Sequence, residues 1–175
     1  MLSSTEMFTL LRILLGILFV AHGAHKLFGW FGSHGLHAHA YDLAATGMRR
    51  AKSWTRVSSW IEIIGGGLLV LGLLTPFAAA ALAVPRIVTI VSTSQGKGFW
   101  NARGGSEYPV LLTLLLLLIA LVGPGPMAVD ALIVYSWPYK LSLAGGLVLA
   151  AAGSIVAIAA TSPRSRRYPT SRQTT

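Results

Sequence analysis

Long apolar stretches recur along the chain and are separated by short polar connections. A helix needs about 20 mostly apolar residues to cross a bilayer, with a range of roughly 17–25. The pattern predicts five membrane spans, at about residues 8–28, 57–74, 76–95, 107–122 and 141–161. We therefore expect an all-α, polytopic membrane helix bundle.

Turn-forming and aromatic residues mark the connections between these spans. Thr75-Pro76 predicts a tight turn between the second and third spans, because proline suits the first turn of a helix. The GPGP sequence at 123–126 ends the fourth span. Segment 34–50 is amphipathic and has aromatic residues on both sides, which is typical of a helix lying in the membrane interface. We expect this segment to cover the inner mouth of the bundle as a lid.

Composition supports a membrane protein and excludes several other classes. The chain is 54% hydrophobic and 11% charged, with a mean hydropathy of +0.66. A net charge of +9 would favour nucleic acid as the partner of a soluble protein. In a membrane protein, however, Lys and Arg collect in cytoplasmic loops, so we expect lipid and no nucleic acid. The chain has no cysteine, which excludes thiol catalysis and CxxC redox chemistry by this chain alone.

The distribution of basic residues predicts the orientation. Loop 29–56, loop 96–106, the inner end of span one and the tail 162–175 share eleven of them, whereas Lys140 stands by itself on the opposite side. The positive-inside rule then places the N terminus outside and the C terminus in the cytoplasm of a bacterial-type plasma (inner) membrane. We expect a bundle over 1–135, an extra fifth transmembrane helix over 136–161 and a basic, disordered cytoplasmic tail over 162–175. The first span lacks a basic n-region, and we expect it to be retained.

Ionisable residues inside spans are costly and usually face a protein interior or a watery cavity. On the outer side, Arg12 in span one and Asp130 after span four are the charges able to neutralise each other. We predict a structural ion pair between them.

A second group lies toward the cytoplasm and contains His22, Lys26, Glu62, Arg86 and Glu107, contributed by four spans. One interpretation is an ion-pair network that fixes helix register. The other is a polar pocket for a headgroup-like or redox ligand, in which His22 and Glu62 move protons as catalytic groups. Lys26, Arg86 and Glu107 would then bind the ligand. A quinone suits this arrangement, because its two carbonyls need donors and its reduction needs two protons.

All five histidines lie between residues 22 and 39, in the first span or in the loop that follows it. A haem inside the membrane normally takes its two histidine ligands from different helices, and no other span offers a histidine. His34, His37 and His39 form the alternative metal site, since imidazoles bind zinc and copper well. On a helix beginning at residue 36 these side chains diverge. We therefore predict neither haem nor metal.

Three segments together resemble the DoxX family of small membrane proteins. They are LRILLGILFVAHGAHKLFGWFG (11–32), WIEIIGGGLLVLGLLTPFAAAALA (60–83) and GGSEYPVLLTLLLLLIALVGPGPMAVD (104–130). The matching marks include Arg12, Gly16, His22-Gly23 with Lys26, Glu62, Glu107 and Asp130. The resemblance covers roughly residues 8–132, so the fifth span lies beyond the usual four-helix unit.

The resemblance implies a four-helix membrane core, protein partners in a membrane oxidoreductase complex and a quinone-linked redox role. The corresponding hypothesis is a subunit or partner of a quinone-linked oxidoreductase that is not self-sufficient as an enzyme. One alternative is a non-catalytic membrane anchor that recruits redox enzymes through its basic loops. A further alternative is a permease for a small solute or for protons.

Overall fold

A computed structural model describes residues 3–32, 34–94, 98–133 and 138–161. These ranges form an all-α bundle, which confirms the predicted fold class. The helices are α1 (Ser4–Phe28), α2 (Gly35–Ala45), α3 (Ala51–Leu71), α4 (Thr75–Ser94), α5 (Glu107–Val122), α6 (Val129–Ile133) and α7 (Tyr139–Thr161), with short 3-10 helices at Trp30–Gly32 and Asn101–Arg103.

Helix ends differ from the predicted spans where polar residues extend a helix. Helix α1 begins at Ser4 instead of residue 8 because Ser3 and Glu6 form a capping box. The Ser3 amide donates to Glu6 Oε2 at 2.7 Å, and the Glu6 amide donates to Ser3 Oγ at 3.3 Å. Helix α3 begins at Ala51, six residues before the predicted span, because its first turns are polar. Helix α5 has the bounds of the predicted fourth span.

The described helices identify a multi-pass membrane protein. Helices α1, α7 and the Thr75–Ser92 part of α4 are long and apolar enough to cross a bilayer. Helix α5 is apolar but shorter, at 16 residues. Helix α3 has 21 residues, but its sequence includes Lys52, Arg56 and Glu62. The predicted tail 162–175 lies outside the described residues.

Helices α1 and α3 pack closely through glycines. A Cβ atom on Gly16 would lie 2.7 Å from the backbone oxygen of Gly66, and one on Gly23 would lie 2.6 Å from the backbone oxygen of Ser59. These distances are too short for any side chain, so the glycines allow the two backbones to touch. Small residues commonly permit such close packing in membranes. The close packing brings side chains of α1 directly beside those of α3.

Arg12 and Asp130 hold the turn between α3 and α4 from two sides. Arg12 Nη1 donates to the carbonyls of Leu69 and Val70, at 2.6 and 2.9 Å, at the end of α3. The carboxylate of Asp130 accepts from the backbone amides of Leu74 and Thr75, at 2.7 and 2.9 Å.

The predicted direct ion pair is therefore replaced by two sets of hydrogen bonds to the backbone. No Arg12–Asp130 salt bridge occurs among the described residues, although the two charges still attract each other across the turn. The reason is that a turn between helices exposes both carbonyls and amides, and each charge binds the backbone group of opposite polarity. Leu74 has a φ of 50°, so the turn contains a strained residue held by Asp130.

Helix α4 is central to the bundle and contacts α3, α5 and α7. The apolar core between these helices and α1 includes Phe19, Leu69, Leu82, Leu116 and Ile119, all nearly inaccessible. Helix α2 packs against α1 and α3 at the other end of the bundle from the α3–α4 turn. The Arg49 amide donates to the Thr161 carbonyl at 2.8 Å and so joins the start of α3 to the end of α7.

Candidate functional site

A buried carboxylate on α3 joins three helices of the bundle. The Glu62 side chain is inaccessible, and its two oxygens accept hydrogen bonds from Lys26 Nζ at 2.7 and 3.0 Å. Arg86 Nη2 on α4 contacts Glu62 Oε1 as an ion pair. The sequence prediction placed Lys26 and Glu62 toward the inner end of the bundle and Arg86 deeper, near the middle of its span. The structure brings the three into direct contact. We call Lys26, Glu62 and Arg86 the charged cluster.

Local features of each helix position the cluster. Gly23 brings α1 against α3 three residues before Lys26, so the lysine reaches Glu62 across a short gap. Arg86 follows Pro85, which is buried in α4, and its guanidinium carbon lies 5.4 Å from the centre of the Phe19 ring. An aromatic face attracts a cation at this distance. Arg86 is therefore held between a ring and a carboxylate.

The guanidinium retains an unused donor. Arg86 is 5% exposed, and its Nε has no hydrogen-bond partner among the described residues. A buried donor without an acceptor costs about 1–3 kcal/mol. Such an atom can donate to a ligand acceptor, such as a carbonyl oxygen, that comes within hydrogen-bond distance.

The charged cluster contains more positive than negative charge. Lys26 and Arg86 supply two cations and Glu62 supplies one carboxylate, which leaves a formal charge of +1. Desolvating charges is costly, so an excess cation inside a bundle favours an electron-rich ligand beside it. The Lys26 side chain is 21% exposed, so it forms the accessible side of the cluster.

His22 lies one helical turn before Lys26 and faces α5. Its ring stacks on the ring of Tyr108, with centroids 5.9 Å apart and planes inclined by 25°. The described hydrogen bonds include none between His22 and Glu62. The two predicted catalytic residues are therefore not joined by a described hydrogen bond through which a proton could pass directly.

Glu107 does not join the cluster by any described contact. Its Oε2 accepts from the Asn101 amide at 3.0 Å and so holds the loop before α5. The acidic residue of the SEYP sequence was a predicted site residue, whereas its neighbour Tyr108 was not. Adjacent helical residues point about 100° apart, so depth alone could not decide which of the two faces α1.

The remaining histidines lie between α1 and α2. The rings of His25 and His39 are 5.3 Å apart, and this contact holds α2 against the end of α1. Burial lowers the pKa of His39 from its usual value, with smaller contributions in the same direction from Lys26 and His25, while Asp42 opposes the shift. His34 and His37 are exposed.

No group of three or more His, Cys, Asp or Glu side chains within the described ranges is arranged to hold a metal ion. The alternative metal site at His34, His37 and His39 thus gains no support from the geometry. The contact partner of His39 is on α1 instead.

Comparisons with known proteins agree with this architecture. Residues 7–95 match the DoxX family, a segment that includes most of α1, all of α2 to α4 and the whole charged cluster. The chain is 33% identical over 128 residues to "Putative oxidoreductase CatD" of Bacillus subtilis (strain 168), an alignment covering 69% of this chain and 82% of that protein. No solved structure matches the chain.

Proposed function

The chain belongs to the DoxX family, and on this basis we propose that it is the membrane subunit or partner of a quinone-linked oxidoreductase. The quinone headgroup binds beside the charged cluster, with His22 and Tyr108 on the α5 side. The oxidoreductase name of the Bacillus subtilis relative supports the redox class.

The free Nε donor of Arg86 carries this proposal. A quinone carbonyl is a neutral, electron-rich acceptor, so it suits a buried donor next to an excess cation. Lys26 offers a further ammonium at the accessible side of the cluster. Glu62 then acts chiefly by holding both cations in place, because each of its oxygens already accepts from them.

Protons and electrons have different sources in this proposal. Reduction of a quinone to a quinol consumes two electrons and two protons. The chain has no cysteine to act as a redox dithiol or to bind an iron–sulfur cluster. In this proposal the electrons come from a partner protein that carries a redox cofactor. His22 is the proposed proton relay for both protons. Its neutral ring gives the proton of one nitrogen to the quinone and takes up another from water at the other nitrogen, and it does so twice for each quinol formed.

The proposed location is the plasma membrane of a bacterial cell, with the charged cluster in the cytoplasmic half of the bundle. The basic residues at the start of α3 support this orientation under the positive-inside rule. The redox partner accordingly docks from the cytoplasm.

Binding of a short-chain quinone to the purified protein in mild detergent tests the proposal. Replacing Arg86→Gln removes a charged donor worth about 1.5–3 kcal/mol, so the affinity falls roughly 10- to 150-fold. His22→Asn leaves binding within a few-fold but slows quinol formation once the electron donor is supplied. His37→Asn, an exposed histidine on α2, is the matched control. Unchanged quinone binding by Arg86→Gln, with the fold intact, refutes the pocket.

A non-catalytic membrane anchor is the second candidate function. The observation that favours it is the run of exposed cations Arg49, Arg50 and Lys52 at the start of α3. An acidic surface of a cytoplasmic redox enzyme is complementary to this run. The triple Gln variant loses co-purification of the partner if the anchor function is correct, whereas Arg86→Gln retains it.

A further inference from the structure

An open groove lies on the side of α3 that faces away from α1. It has a volume of about 540 Å³ and is lined by α3, α4 and Leu149 of α7. Its walls are mainly apolar side chains, such as Ile64, Leu68 and Phe77. The volume lies within the ~300–1,000 Å³ of typical ligand sites.

One end of the groove is cationic and aromatic. Arg56 and Trp60 line it there, and Lys52 lies one helical turn before Arg56 on the same row of α3. Lys52, Arg56 and Trp60 are exposed, and neither cation makes an ion pair with another described residue. The segment from 49 to 56 contains four cations and no carboxylate. The cations are therefore available for an anion from outside the protein.

The side chains on this face of α3 match one leaflet of a bilayer in their length and in their order of polarity. Arg56 and Leu68 are twelve residues apart in α3, which corresponds to about 18 Å along the helix. Half of the hydrocarbon core of a membrane is about 15 Å thick. From Lys52 onward, α3 presents the two cations Lys52 and Arg56, then the aromatic ring of Trp60 and then aliphatic side chains. This is the order of a phosphate headgroup, a glycerol region and an acyl chain.

We propose that this groove is a binding site for an anionic phospholipid, with its phosphate at Lys52 and Arg56 and an acyl chain along Trp60, Ile64 and Leu68. Charge complementarity selects an anionic headgroup over a zwitterionic one. Each cation near an anionic lipid contributes roughly fivefold in affinity, so the pair gives a preference of about 25-fold at low salt. Raising the salt concentration weakens this preference, since exposed charges are screened.

Trp60 provides a native reporter of the bound chain. The protein is reconstituted into phosphatidylcholine nanodiscs that contain a minor fraction of either brominated phosphatidylglycerol or brominated phosphatidylcholine. Bromine quenches a tryptophan that it contacts. The chain has five tryptophans, so subtracting the quenching of Trp60→Phe isolates the signal from the groove. We expect strong Trp60 quenching by the anionic lipid at a fraction where the zwitterionic lipid has little effect.

Two variants separate a specific headgroup site from general attraction. Lys52→Gln/Arg56→Gln removes the preference for the anionic lipid, whereas Arg49→Gln/Arg50→Gln, with the same change in net charge, retains most of it. Ala81→Phe fills the groove and reduces quenching by both lipids, compared with Ala151→Phe on an exposed position of α7. Equal quenching of Trp60 by both lipids, or equal losses in the two Gln pairs, overturns the proposal. A quinone tail as the occupant would give quenching that ignores headgroup charge, with quinone recovered from the purified protein.

Discussion

The excess positive charge of the charged cluster leads to a prediction about stability: Lys26→Met has opposite effects in the wild-type protein and in the Glu62→Gln variant. Glu62→Gln leaves the buried Arg86 and the partly exposed Lys26 side by side without a carboxylate. Removing one partner of a buried ion pair costs about 3–5 kcal/mol, because the charge that remains is uncompensated. The Glu62 side chain is inaccessible, so solvent cannot replace the lost carboxylate. For a chain of this size the loss lowers the melting temperature by roughly 6–20 °C.

Lys26→Met has a much smaller effect in the wild-type background. It leaves Arg86 and Glu62 as a neutral pair, and the lysine side chain is 21% exposed instead of fully buried. We expect a loss of about 1 kcal/mol. In the Glu62→Gln background the same change removes one of two unpaired cations, so it raises the stability. Lys26→Met therefore lowers the stability in one background and raises it in the other, which demonstrates energetic coupling between Lys26 and Glu62.

The melting temperature is measured in mild detergent by tryptophan fluorescence under one set of conditions. The four proteins are the wild type, Glu62→Gln, Lys26→Met and the double variant. Glu107→Gln is the matched control, because its carboxylate is half-buried and accepts one described hydrogen bond, from the Asn101 amide. We expect it to shift the melting temperature by a few degrees at most. If Lys26→Met lowers the stability of Glu62→Gln further, the cluster does not contain excess positive charge and the reasoning fails.

Three further perturbations test the contacts that position the site. Gly16→Ala places a methyl group 2.7 Å from the facing backbone oxygen and should destabilise the protein by about 1–3 kcal/mol. Gly67→Ala, which has open space around it, should not destabilise the protein, and thermal unfolding compares the two variants. Asp130→Ala removes acceptors from two backbone amides and should cost about 2 kcal/mol in the same assay, while exposed Asp42→Ala should be nearly neutral. Because the pKa of His39 is lowered by burial, the unfolded segment binds a proton more readily than the folded one as the pH falls below about 6.5. The protection of α2 amides, expressed relative to their intrinsic exchange rate at each pH, should therefore decrease at acidic pH, and His39→Gln should remove that dependence.

Sequence patterns located the helices well where hydropathy changes abruptly. The bounds of α5 coincide with the predicted span because a serine-glutamate boundary precedes it and a Gly-Pro sequence follows it. The start of α3 was placed too late because hydropathy does not detect the polar turns by which a helix leaves the membrane. The capping box at Ser3 was present in the sequence, but the apolar pattern does not begin until several residues later.

The depth of the charged residues could be predicted from the sequence, but the contacts that each of them makes could not. Counting residues from the end of a span placed Lys26, Glu62 and Arg86 in the same half of the bundle, and the three do meet. Depth does not give the rotation of a helix about its axis. Rotation placed Tyr108 instead of Glu107 opposite α1, and directed Arg12 and Asp130 to backbone groups instead of to each other.

The two proposed sites lie on different sides of α3 and should therefore act independently. Trp60 and Ile64 are two residues either side of Glu62, so at 3.6 residues per turn they point nearly opposite to it. Glu62 is buried toward α1 and α4, whereas Trp60 and Ile64 are about half exposed. Lys52→Gln/Arg56→Gln should thus change lipid selection and leave quinone affinity within about twofold, and Arg86→Gln should do the reverse. A loss of both activities in either variant would show that α3 transmits changes between its two faces, and the sites could not then be assigned from geometry alone.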